Sequence, residues 1–186
     1  MVLMRLGYRR PAQVPERTAV LIDEIMEKGR SLLRPRAIYG TFDASTPGPG
    51  QSLIGGTLRA SSRSLHERLH GCRRAVVFAA TIGPEVETWG HDLMQDGQMT
   101  RGLLADAFAS SAAIALGLEV ETIAAAVLGA ENLKATRRFA PGYGDWSLGD
   151  QAPLCALLDV GRIGISLTED FLMLPAKSVS GVIGGR

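Results

Sequence analysis

The sequence predicts an α+β fold with an antiparallel or mixed sheet and long helices, on three observations. The elements run helix, strands, long helices, loop and two more strands, not a regular alternation of strand and helix. The stretch Val76-Val77-Phe78-Ala79-Ala80 is continuously apolar, as expected of a strand buried on both faces near the centre of a sheet. The chain has 186 residues, 46% hydrophobic and 21% charged, which is enough to bury a core and excludes wholesale disorder. It reads as one domain over 1–186. An N-terminal helix and strands occupy 1–60, a sheet strand and long helices 61–130, and a candidate ligand loop with C-terminal strands 131–186.

Each element has its own signal. Pro15 to Leu33 predicts an amphipathic helix. Ala19, Ile22, Ile25 and Met26 recur at helical spacing, Glu16 suits the positive end of the helix dipole, and Pro35 closes it. Ala37 to Phe42 reads as a short strand. Ser45 to Gly56, with Pro47 and Pro49 among glycines and serines, reads as a loop. Ser61 to Gly71 fits a short helix with Leu65 and Leu69 on one side, and Arg73 to Ile82 is the central strand. Gly83 to Met94 opens a helix with Pro84 in its first turn. Thr100 to Leu128 predicts one long helix or two in tandem, broken or bent near Gly117. Arg138 to Gly149 has no periodicity. Asp150 to Leu158 is a short helix with Leu154 and Leu157 inward. Arg162 to Thr168 and Lys177 to Ile183 alternate like strands joined across Pro175.

Charge and cysteine content narrow the function. Lys plus Arg number 20 against 19 Asp plus Glu, a net charge of +1, so nothing electrostatic favours nucleic acid or an anionic membrane as partner. Cys72 and Cys155 cannot build a disulfide framework or a four-thiolate zinc site. The first ten residues contain Arg5, Arg9 and Arg10 and no apolar run of signal-peptide length. The most membrane-like stretch, Leu103 to Leu118, is interrupted by Asp106, and Glu119 follows before the ~20 residues of a spanning helix are reached. The expectation is a cytoplasmic protein with no membrane segment.

Several motifs bear on chemistry. His66-Glu67-Arg68-Leu69-His70 has the H-E-x-x-H form of a zinc peptidase helix, with Glu85 or Glu87 as a third ligand. Its polar flanks Arg63, Ser64 and Arg68 mark a solvated face instead, whereas a catalytic zinc needs a dry, shaped cavity. Gly48 to Gly56 lacks the G-K-[ST] ending of a phosphate loop. Both cysteines read as small core residues. The informative segment is Arg138-Phe139-Ala140-Pro141-Gly142-Tyr143-Gly144-Asp145-Trp146. Pro141 fixes φ, Gly142 and Gly144 let backbone approach a ligand, and Arg138 offers a fork for a carboxylate. Tyr143 and Trp146 can cover an aromatic base or a cation such as a sulfonium. The same composition also suits a rigid Pro-Gly turn with a surface arginine. Asp106 is the second anomaly, a carboxylate among alanines. It wants a cation, either a ligand ammonium or Arg101 or Arg137, unless it turns to solvent.

Arg138-Phe139-Ala140-Pro141-Gly142-Tyr143 resembles the R-x-x-P-G-Y loop of the activation domain of cobalamin-dependent methionine synthase, which binds S-adenosylmethionine. Ile163-Gly164-Ile165-Ser166-Leu167-Thr168-Glu169, Met173-Leu174-Pro175 and Ser178-Val179-Ser180-Gly181 resemble its later segments. Leu6-Gly7-Tyr8, Ala80-Thr81-Ile82-Gly83 and Gly144-Asp145-Trp146 through Gln151 look closer to free-standing members. The resemblance implies an S-adenosylmethionine-binding component for reductive remethylation of cobalamin, with a flavodoxin-type electron donor. It implies that Arg138 binds the methionine carboxylate, that Ala140, Gly142 and Tyr143 give backbone contacts, and that Asp106 contacts the ligand. Asp106 stands where the family has a Glu one methylene longer. The family's Trp-Tyr-Phe strand after S-V-S-G is not matched, so one wall of the site is expected to be missing. A C-terminal cysteine cluster and the D-x-H-x-x-G corrinoid motif are also unmatched. The cobalamin is therefore expected on a partner, a methionine synthase acted on in trans. Service to another corrinoid methyltransferase and a non-catalytic S-adenosylmethionine-binding module are the alternatives.

Overall fold

The computed structural model describes residues 15–186. The Leu6-Gly7-Tyr8 part of the resemblance lies outside them. Helix α1 spans Glu16–Leu32 and strand β1 Arg36–Ser45. Strands β2 (Gln51–Ile54) and β3 (Leu58–Ser61) form a hairpin, followed by α2 (Arg63–Leu69) and β4 (Arg74–Thr81). Helices α3 (Glu85–Gln95) and α4 (Met99–Ala130) come next, then α5 (Gln151–Leu158). Strands β5 (Ser166–Leu167), β6 (Met173–Leu174) and β7 (Ser178–Gly185) complete the order.

Five strands make one sheet in the order β3-β2-β1-β4-β7, with every pairing antiparallel. β4 lies between β1 and β7, in register from Arg36↔Thr81 to Asp43↔Arg74 on one side and from Arg74↔Gly185 to Thr81↔Ser178 on the other. Its continuous apolar run follows from burial on both faces. Ala75, Val77 and Ala79 face a core with Leu65, Leu69, Trp146 and Leu154. Val76, Phe78 and Ala80 face Val120, Ala124 and Leu128 of α4. A further core joins α1, α3 and the first half of α4 through Ile22, Ile25, Val86 and Phe108. The sheet is thus covered by long helices on one face and by α2, α5 and the 138–146 loop on the other.

Four expectations change. Ser45 to Gly56 is not all loop: Ser52 and Ile54 are buried at the period of two that a strand requires, and β2 is too short for that signal to stand out beside Pro47 and Pro49. Arg162 to Thr168 is not one strand. Asp159 (φ 53°) and Gly164 (φ 80°) bracket a helical turn over Val160–Ile163, which leaves two residues for β5. β5 pairs with β6, whereas β7 pairs with β4. Helix α4 runs unbroken through Gly117 for 32 residues. By length and composition α4 is apolar enough to cross a membrane, with mean hydropathy 1.7 over its most apolar 18 residues. In this fold it packs against α1, α3, β4 and β7.

The outer edge of β7 is occupied. Phe139 and Val182 exchange both backbone hydrogen bonds at 3.0 and 2.8 Å, and Lys134 and Arg186 do the same at 2.7 and 3.1 Å. The chain entering the 138–146 loop therefore covers a strand edge that would otherwise be unpaired.

Candidate functional site

The 138–146 loop is held by its own backbone. The Gly142 N–H donates to the Trp146 carbonyl at 2.9 Å, Tyr143 N–H to Ala140 O at 3.2 Å, and Trp146 N–H to Tyr143 O at 3.0 Å. Gly142 takes φ 85°, a conformation that side chains disfavour. Trp146 is 2% exposed, stacks on Phe139 at 5.9 Å between ring centroids, and donates its indole N–H to Asp150 Oδ2 at 2.7 Å. Trp146 is therefore a prop beneath the loop and not a cover for a ligand, a correction to the sequence reading. Tyr143, 61% exposed, is free for that role.

Asp145 ties the loop to α2. Its carboxylate accepts from the Ser62 hydroxyl at 2.7 Å and from the backbone N–H groups of Arg63 and Ser64 at 2.8 and 3.1 Å. The Ser62 hydroxyl, then the Ser64 side chain and N–H, hold this carboxyl far below its ordinary value of 3.8. The H-E-x-x-H helix thus acts as an anchor. Its Glu67 is bound to Arg63 at 2.8 Å, its His66 Nδ1 lies 3.1 Å from the Gln51 carbonyl, and its Arg68 guanidinium sits 4.6 Å over the Phe139 ring. Among the described residues no group of three His, Cys, Asp or Glu side chains is arranged to hold a metal.

Arg138 passes between β7 and α4. A Cβ on Gly181 would lie 2.7 Å from its Cγ, and one on Gly117 would lie 3.4 Å from its Nη1. Gly181 makes room for this side chain, whereas at Gly117 an added Cβ would be in ordinary contact with it. The Arg138 Nε pairs with Glu121 Oε1 at 3.0 Å, in a pair that is about three-quarters shielded from solvent. Sequence spacing did not mark Glu121.

Arg138, Ala140, Pro141 and Tyr143 line a cavity of about 290 Å3. That volume is near the lower end of the ~300–1,000 Å3 of small-molecule sites. Its other walls include Leu148, Gln151, Phe171 to Met173 and Ser178 to Ser180. Gln151 is 3% exposed, and its amide and the Ser180 hydroxyl bond each other at 3.0 and 3.1 Å. Sequence reasoning missed Gln151 and Phe171. Gln151 ends one of the segments that carry the resemblance and Phe171 falls between two of them, and nothing in residue type distinguishes either.

Asp106 lies elsewhere. It lines a second cavity, of about 180 Å3, with Glu87, His91 and Lys177. Its cation is Lys177, whose Nζ is 2.6 Å from Oδ1 and 3.0 Å from Ser110 Oγ. It is not Arg101, which pairs with Glu24 at 2.8 Å. The structure thus gathers Arg138, Ala140 and Tyr143 on one cavity, with Gly142 shaping the turn between Pro141 and Tyr143, and puts Asp106 on another. Cys72 and Cys155 are buried, and burial pushes both thiols up, as for core residues.

Comparison with known proteins follows the same lines. No curated protein matches the chain. Among solved structures, a MetH reactivation domain bound to AdoHcy superposes with a TM-score of 0.67 at 19% identity. The match covers 89% of this chain and 64% of that one, so this chain spans less than two thirds of that protein's length. It shows a shared fold. The family model for the activation domain of vitamin B12 dependent methionine synthase matches residues 74–186, from β4 through the 138–146 loop to β7. With well over half its length matched by that model, the chain belongs to the vitamin B12 dependent methionine synthase activation domain family.

Proposed function

We propose that this chain binds S-adenosylmethionine in the cavity beside Arg138 and supports reductive remethylation of a cobalamin carried by a partner. The partner is a methionine synthase acted on in trans. The observation that carries this reading is Arg138, held by Glu121 and the gap at Gly181 at the wall of a cavity bounded by a rigid Pro-Gly loop. The residues present suit the ligand. Arg138 provides a planar cation for the carboxylate, Ala140 and Gly142 provide backbone on a loop that is already fixed, and Tyr143 provides an exposed aromatic face. Asp106 lines the other cavity and is not drawn on. When bound, S-adenosylmethionine supplies a sulfonium methyl group for transfer to the corrinoid after a flavodoxin-type donor has provided the electron. This chain's part is to bind, orient and shield, and a loop ordered before binding lowers the cost of doing so.

Calorimetric titration with S-adenosylmethionine, with S-adenosylhomocysteine as control, tests the binding. Arg138→Ala is expected to cost about 2–4 kcal/mol of affinity, because the ligand carboxylate then has no partner in a partly dry site. Return of the methylated cobalamin spectrum, on mixing with a synthase lacking its own activation domain and a reductant, tests the action in trans. No binding by the unmodified protein would end the reading, while binding with no effect on the synthase would favour the non-catalytic module.

A further inference from the structure

Phe171 sits at the turn between β5 and β6 with φ 64°, in the left-handed region where glycine is at ease and a bulky residue is strained. The turn imposes that conformation. Thr168 and Leu172 are joined by two hydrogen bonds, Leu172 N–H to Thr168 Oγ1 at 3.1 Å and Thr168 N–H to Leu172 O at 2.9 Å. Phe171 N–H also donates to Thr168 O at 3.0 Å. Strain of this kind is offset when the side chain fills a core. Phe171 does not, since it is 40% exposed and belongs to none of the three buried clusters. Its ring instead lines the same cavity as Tyr143, which is 61% exposed, and one ring edge lies 3.8 Å from where a Gly149 Cβ would stand. Two half-open aromatic side chains, one on the Pro-Gly loop and one on the strained turn, thus border one cavity with largely apolar walls.

We infer that Phe171 is a ligand-contacting residue, and that its ring forms a stacking face for the purine of the bound nucleoside. This rests on the reading above and extends it to the half of the ligand that Arg138 does not touch. The strain at Phe171 holds an aromatic plane where the folded chain alone gains little from it, and a flat base in the cavity recovers the contact area.

The test separates the two ends of the ligand. 5′-Methylthioadenosine keeps the purine and lacks the carboxylate. Phe171→Ala and Phe171→Gly are each expected to weaken both S-adenosylhomocysteine and 5′-methylthioadenosine by about 5- to 150-fold, the range for losing one base–aromatic stack. Phe171→Tyr is expected to keep the affinity. In thermal melts the Gly variant should outlast the Ala variant, because glycine accepts the left-handed backbone. Affinity then follows the ring and not the stability. Wild-type affinity for 5′-methylthioadenosine in the Ala and Gly variants overturns the role of Phe171 and leaves the Arg138 site standing. An unmodified protein that binds neither ligand removes the site, and this inference with it.

Discussion

Arg138 leaves the loop against Gly181 and ends beside Gly117, and the two glycines are not equivalent. An added Cβ at 181 would stand 2.7 Å from Arg138 Cγ and 3.1 Å from the Phe139 carbonyl, a clash with backbone as well as side chain. At 117 the nearest atoms would be at 3.4 Å, an ordinary contact. Gly181→Ala should therefore cost about 1–3 kcal/mol of stability through overpacking and weaken S-adenosylmethionine by displacing Arg138. Gly117→Ala should raise stability by about 0.5–1 kcal/mol, since glycine inside a helix is unfavourable by that amount, with little change in binding. Thermal denaturation and titration of the two variants check this, and equal effects would sink the account of the gap. Residue chemistry made Arg138 and Tyr143 legible in the sequence. It could not identify the partner of Asp106, because Lys177 is 71 positions away and helical spacing finds only local neighbours.

Among the elements, α2 is the one whose sequence points furthest from its role. Its two histidines suggest metal, yet what it supplies is an N-terminus that Asp145 caps, from 83 positions further along the chain in the case of Ser62. Because the folded carboxyl is depressed, its contribution is complete above the ordinary carboxylate value of 3.8 and is lost as pH falls through the depressed one. Wild-type stability should thus fall below about pH 4, the range where a free aspartate titrates. Asp145→Asn should start lower at neutral pH and lose less on acidification. Urea melts from pH 7 to pH 3 read the difference, and parallel curves would remove Asp145 from the anchor. The amphipathic helices α1 and α3 and the long apolar runs of α4 and β4 were legible. β2, β3 and β6 were not, because two to four residues cannot show a period and their pairing depends on other strands.

At the scale of the whole molecule the sheet and the loop are one assembly. β7 pairs with β4 on one side and with the chain entering the loop on the other, so the walls of the Arg138 cavity belong to the core of the fold. The α+β class was readable from the order of elements and the continuous apolar run of β4. The separation of the two cavities was not, because it depends on where Lys177 reaches from the start of β7 toward α4.

The clasp between Asp145 and α2 makes the surface helix a remote gauge of occupancy. The amides of Arg63 and Ser64 donate to a carboxylate on the 138–146 loop and do not line the cavity. Whatever steadies the loop steadies their hydrogen bonds, and thermodynamic linkage makes that dependence reciprocal. Deuterium exchange at these two amides should therefore slow when S-adenosylmethionine or S-adenosylhomocysteine binds, and the slowing should vanish in Asp145→Asn even where some binding survives. Exchange that ignores the ligand would mean that loop and helix move independently. If the slowing is seen, a probe fixed near Ser64 would report filling of the cavity from outside it.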